Sequence, residues 1–69
     1  MADSVYKVIE LVGTSTTSWE QAAKNAVERA AASLRDLRIA ELVEQDLVIE
    51  NNAVKAFRVR MKVSFKFEG

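Results

Sequence analysis

The residues in this chain best equipped for chemistry are four cations at alternating positions, Arg58, Arg60, Lys62 and Lys66. That spacing places them on one face of a strand. Such a stripe can recognise a phosphate or an acidic partner. It can equally pair with acids on a neighbouring strand, and Glu41, Glu44, Asp46 and Glu50 could supply them. Lys+Arg and Asp+Glu number 10 each, so the formal net charge is zero, and this balance favours the paired reading. The same balance argues against a nucleic-acid binder, which carries a basic excess.

Other chemistry is scarce. The chain has no histidine and no cysteine, so it can form no disulfide, no Cys-ligated zinc or iron–sulfur site, and no thiol nucleophile. Ser15 and Ser18 lack a histidine base, and hydroxyls between a strand and a helix usually serve turns and caps. Gly13-Thr14-Ser15 contains one glycine, too few for a phosphate loop. Any metal would need oxygen ligands and so would be a hard cation. No EF-hand spacing occurs, but Glu20, beside the hydroxyl-rich stretch 14–18, could give one carboxylate to a calcium or magnesium site shared between subunits. Its alternative role is a helix-capping acid. Trp19 could stack on a planar ligand, but a Trp that opens an amphipathic helix reads better as a core or interface anchor. No catalytic constellation emerges, and a non-enzymatic protein is expected.

These residues must be positioned by four elements. Residues 4–12 are rich in β-branched and aromatic types on both faces. They predict a strand covered on both sides, either central or packed against a neighbouring subunit. Gly13 should end it, and residues 14–18 should form a loop. Thr17 with Glu20, or Ser18 with Gln21, has capping-box spacing. Residues 19–37 predict an amphipathic helix with a mostly alanine stripe, ending in Leu34 and Leu37. Glu20–Lys24 and Lys24–Glu28 are possible i,i+4 pairs, and Arg35 and Arg38 suit its C-terminal end. Residues 39–50 return to strand chemistry. Asn51-Asn52 suits a tight hairpin turn. Over residues 54–67 Phe57, Val59, Met61, Val63, Phe65 and Phe67 alternate with polar residues. The expected fold is α+β: one domain over residues 1–69, β-α-β-β in order, with a three-stranded antiparallel sheet wrapped around one helix.

A chain of 69 residues buries too little surface to be comfortably stable alone. With disulfides excluded, self-assembly is the expected remedy. No apolar run approaches the roughly 20 residues that span a bilayer, so no membrane partner is expected. Met1-Ala2-Asp3-Ser4 lacks a basic stretch followed by an apolar one, so no signal peptide is expected and a cytoplasmic address is the default.

Val5-Tyr6-Lys7-Val8-Ile9-Glu10-Leu11-Val12-Gly13-Thr14-Ser15, followed by Ser18-Trp19-Glu20, resembles the opening of the dodecins. Val59-Arg60-Met61-Lys62-Val63-Ser64-Phe65-Lys66-Phe67 resembles their last strand, and the likeness runs over roughly residues 4–68. The resemblance implies a hollow homododecamer built from trimers, with no enzymatic activity. It also implies binding of a flavin such as riboflavin or FMN at subunit interfaces, for storage or buffering. The positions matching the family's flavin pocket are Ile39, Glu44, Gln45 and Arg58. Ile39 stands where the family has a Trp that stacks on the ring, and Arg58 where it has a Gln that pairs with the flavin edge. Ile has no π face, and Arg has donors but no acceptor. These two departures resemble a subgroup without the stacking Trp, some of whose members are described as calcium-binding.

Overall fold

The computed structural model describes residues 4–67. Its elements are strand β1 (Tyr6–Ser15), helix α1 (Trp19–Ala31), strand β2 (Leu37–Glu50) and strand β3 (Ala53–Lys66). The strands form one antiparallel sheet in the order β1-β3-β2. This is the expected α+β, β-α-β-β arrangement. The signal-peptide expectation rests on Met1 to Ser4, of which only Ser4 lies within the described residues. No helix among the described residues is long and apolar enough to cross a membrane.

β3 holds the centre of the sheet, so β1 is an edge strand rather than a central one. Its second apolar face is bare: Val8 and Val12 are each 57% exposed. β1 also does not stop at Gly13 but runs on to Ser15, pairing Gly13 with Val59 and Ser15 with Phe57. Gly13 is buried beneath α1. A Cβ there would overlap the Ala22 carbonyl oxygen and lie 2.9 Å from Ala26 Cβ. The glycine therefore marks where the helix backbone crosses the strand, not a turn. The turn lies at residues 16–18, where the Thr17 amide donates to Ser15 Oγ at 3.0 Å.

Ser18 is the N-cap of α1. Its backbone is extended, and its Oγ accepts from the Gln21 amide at 3.0 Å. Only half of the capping box forms, because the Gln21 side chain donates forward to Asn25 Oδ1 at 2.7 Å. α1 ends at Ala31, six residues short of the predicted Leu37. The amides of Ala32, Ser33 and Leu34 close tight bonds to Arg29 and Ala30, and Asp36 turns the chain with φ 58°. Ser33 and Asp36 are poor helix formers that favour turns. The sheet overrides the helical period as well, because Leu37 is needed opposite Phe65 as the first residue of β2. Leu34, Leu37, Arg35 and Arg38 thus lie outside the helix, and Arg29 is the cation of its last turn. Neither Glu20–Lys24 nor Lys24–Glu28 is among the ion pairs of the described residues.

Asn51 and Asn52 both have positive φ, 53° and 61°, as a two-residue hairpin turn requires. β2 carries extra residues at Arg38 and Val43 relative to β3, and β3 carries one at Lys55. These bulges shift the face on which later side chains lie.

The core is small. Ala22, Val59 and Met61 are buried together, with Leu11, Trp19, Ala23, Ala26 and Val27 packed around them. Trp19 anchors the helix start, its ring edge-on to Phe57 at 5.1 Å and its Nε1–H donating to the Asp46 carbonyl at 3.0 Å. Length limits what the helix can cover. Thirteen residues of helix reach about 20 Å, whereas each 14-residue strand of the hairpin runs roughly 46 Å. The chain exposes 5316 Å², about 1000 Å² above the roughly 4300 Å² expected of a compact monomer of this size.

Gly13→Ala places a methyl group against helix backbone that cannot move aside without lifting α1 off the sheet. We expect a loss of about 2–3 kcal/mol, read as a lower denaturant midpoint. A midpoint equal to that of the unaltered chain would contradict this account of Gly13.

Candidate functional site

The sheet face turned away from α1 carries the cation stripe. Because β3 is central, its cations are flanked by β2 acids on one side and by the mainly apolar residues of β1 on the other. The register places Arg58 opposite Asp46, Arg60 opposite Glu44, and Lys62 opposite both Glu41 and Glu10.

Arg58 donates through Nε to Asp46 Oδ1 at 2.8 Å and through a terminal nitrogen to Oδ2 at 2.7 Å, a two-pronged bond. Arg60 meets Glu44 at 2.9 Å. Lys55 meets Glu50 at 3.0 Å, so this acid serves the hairpin end rather than the stripe. The paired reading of the stripe therefore holds for Arg58 and Arg60. The hydrogen bond from Arg58 holds the Asp46 carboxyl below its ordinary value, assisted by the charges of Arg58 and Arg60 and partly opposed by burial. The same bond and the Asp46 charge raise Arg58. Asp46 thus ties two structures together: its carbonyl receives the Trp19 indole and its carboxylate fixes Arg58.

The anticipated pocket positions do not come together in one subunit. Ile39 lies on this face opposite Ser64 and is 69% exposed. Arg58 lies six residues further along β3, about 20 Å away at strand rise. Glu44 is engaged with Arg60. Gln45 pairs with Val59 and so belongs to the opposite face. A pocket using both Ile39 and Arg58 would need two subunits. With its fork occupied by Asp46, Arg58 is also poorly placed to bind a phosphate.

Glu20 is exposed in the first turn of α1, next to the Ser18 cap. Among the described residues, no three acidic side chains gather as a metal site. Carboxylate and hydroxyl oxygens are donors of the type calcium takes, but calcium needs six to eight of them. A cation held through Glu20 would therefore need ligands from neighbouring copies.

One feature was not foreseen from the sequence. Because α1 leans over β1 and β3, a groove of about 440 Å³ opens between the helix and β2, floored by Ala23, Val27, Ala40, Leu42 and Met61. Lys24 and Glu28 also line it. The bulge at Val43 hid this face of β2, since plain alternation would have grouped Ala40 and Leu42 with Glu44 and Asp46 rather than with Gln45 and Leu47.

Comparison with known proteins points in one direction. The dodecin family model matches residues 5–68. The calcium dodecin of Mycobacterium tuberculosis is 51% identical over 63 residues, covering 91% of this chain and 89% of the relative. A solved structure from that organism, described as a calcium-chelating antigen with a novel calcium-binding site, superposes with TM-score 0.85 at 49% identity, covering 94% and 93% of the two chains. The dodecin of Streptomyces coelicolor superposes with TM-score 0.93 at 38% identity, covering 100% and 99%. The dodecin of Thermus thermophilus is 41% identical over 93% of each chain.

The Arg58–Asp46 bond makes an acid-stability prediction. The folded pKa of Asp46 is depressed, so its contribution is fully present above the ordinary carboxylate value of 3.8 and fades as pH falls through the lower folded value. Asp46→Asn should therefore remove part of the fall in melting temperature below pH 3.8, more clearly at low salt because the pair is nearly half exposed. An identical acid profile in the variant would show that the bond contributes nothing.

Proposed function

The chain belongs to the dodecin family, and from that premise we propose that it is the non-enzymatic subunit of a hollow homododecamer built from trimers, binding a small ligand or cation at subunit interfaces. Calcium is the ligand this chain fits better, with flavin binding weakened. The observation that carries this choice is the state of the two pocket positions. Ile39 offers an aliphatic surface with no π face, and Arg58 is held by Asp46 with both prongs. Stacking of a base on an aromatic side chain is worth about 1–3 kcal/mol, so losing the ring weakens a flavin by roughly one to two decades. Glu44 and Gln45 do not restore a stacking platform. The high identity to a protein named calcium dodecin supports the cation reading. Glu20 is the proposed carboxylate, one per chain, with the remaining oxygens coming from neighbouring copies. A cytoplasmic address, without nucleic-acid or membrane partners, belongs to the same reading.

Flavin and calcium separate cleanly in solution. The purified protein should be colourless and should leave the fluorescence of micromolar riboflavin or FMN unquenched. Ile39→Trp with Arg58→Gln should bring quenching in. Calcium, but not magnesium, should raise the melting temperature, and Glu20→Gln should abolish that rise without changing the value in chelator. Strong quenching by the unaltered protein would return the assignment to flavin. A calcium response intact in Glu20→Gln would remove Glu20 from the site.

A further inference from the structure

Asp46 is used twice. Its backbone carbonyl receives the Trp19 indole at 3.0 Å, which ties the start of α1 to β2. Its carboxylate lies on the sheet face turned away from α1 and accepts from Arg58 Nε at 2.8 Å and from a terminal nitrogen at 2.7 Å. Only the second use needs an acid, since any residue at this position presents a carbonyl.

The place that the carboxylate fills suits an anion in general. Nε and one terminal nitrogen form the side-on edge of a guanidinium, two parallel donors that match a carboxylate or a phosphate equally well. Thr14 stands directly opposite Arg58 on β1 and is exposed, so a second kind of donor borders the same place. Arg60 follows two residues along the same face. The Arg58 and Asp46 side chains are 45% and 44% exposed, so a dissolved anion can reach them. Arg60 offers less: Glu44 meets it at 2.9 Å, and its neighbour on β1 is Val12, which has no donor. In these two rows each base faces one acid, and loss of the Asp46 charge would leave the local balance positive.

We infer that Asp46 is a positioning residue that sets the sign of ligand this face accepts: by holding the donor edge of Arg58, it closes a phosphate seat made by Arg58 and Thr14. The inference rests on the cation reading above and deepens it, naming what keeps anions out. The ladder holds the carboxylate opposite Arg58, so it competes with dissolved phosphate as an intramolecular group. Arg58 in turn keeps that carboxyl below its ordinary value, so the seat stays filled through the neutral range.

Inorganic phosphate is the probe, titrated by calorimetry in chelator against chloride at matched ionic strength. Asp46→Asn should bind phosphate about tenfold more tightly than the unaltered chain. Asp46→Glu restores a carboxylate and should remove most of the gain. Adding Arg58→Gln to Asp46→Asn should remove all of it. A merely structural role for Asp46 predicts lost stability and no gain of binding. Each variant keeps the Trp19 acceptor, so the tryptophan emission maximum should not shift. Should Asp46→Asn fold poorly, Asp46→Ser takes its place. Phosphate binding no tighter in the folded variant than in the unaltered chain would overturn the inference, and so would a gain that survives Arg58→Gln. A calcium response missing from the unaltered chain would overturn the cation reading and leave the phosphate comparison standing, so the two failures are distinguishable.

Discussion

The helix can lie on the sheet only because position 13 has no side chain. At Gly13 the backbone of α1 touches the backbone of β1, with Ala22 and Ala26 one turn apart on either side of the contact. Small residues on both surfaces set the distance between helix and sheet. That distance places Met61 and Val59 against Ala22 and lets Trp19 reach the Asp46 carbonyl. It also commits the helix to the β1 side of the sheet. The open β2 side and its groove follow from the same contact. The close approach therefore covers the β1 half of the sheet and leaves a groove over the β2 half.

Much of this was legible in the residues. β3 announces itself by alternation, and Asn51-Asn52 by its tolerance of positive φ. Ser18 was one of two possible caps. What escaped has a physical cause in each case. Gly13 reads as a strand terminator to any local rule, because its reason for being glycine lies nine and thirteen residues away in Ala22 and Ala26. The helix end was overshot because Leu34 and Leu37 continue the helical period, although Ser33 and Asp36 favour a turn and Leu37 is placed opposite Phe65. The two faces of β2 could not be sorted, since extra residues at Arg38 and Val43 each shift the alternation. At the site, the residue types at 39 and 58 were informative. Their separation in one subunit, and the capture of Arg58 by Asp46, required the register.

The charged face illustrates how a net charge of zero is distributed. The ions are not scattered: β2 supplies acids, β3 supplies bases, and the central strand pairs them across the ladder. Arg58 and Arg60 are thereby spoken for within the chain. A guanidinium already satisfied by carboxylate is a weak recruiter of phosphate, so this face is better suited to maintaining the hairpin's alignment than to holding an anion.

The bulges at Arg38 and Val43 also bear on how growth stops. β2 is an edge strand, and a regular edge of this length offers unpaired amides and carbonyls to any passing strand, which is the start of a fibre. Each extra residue breaks that template into short runs and twists it. Open-ended addition of strands along β2 is thereby discouraged.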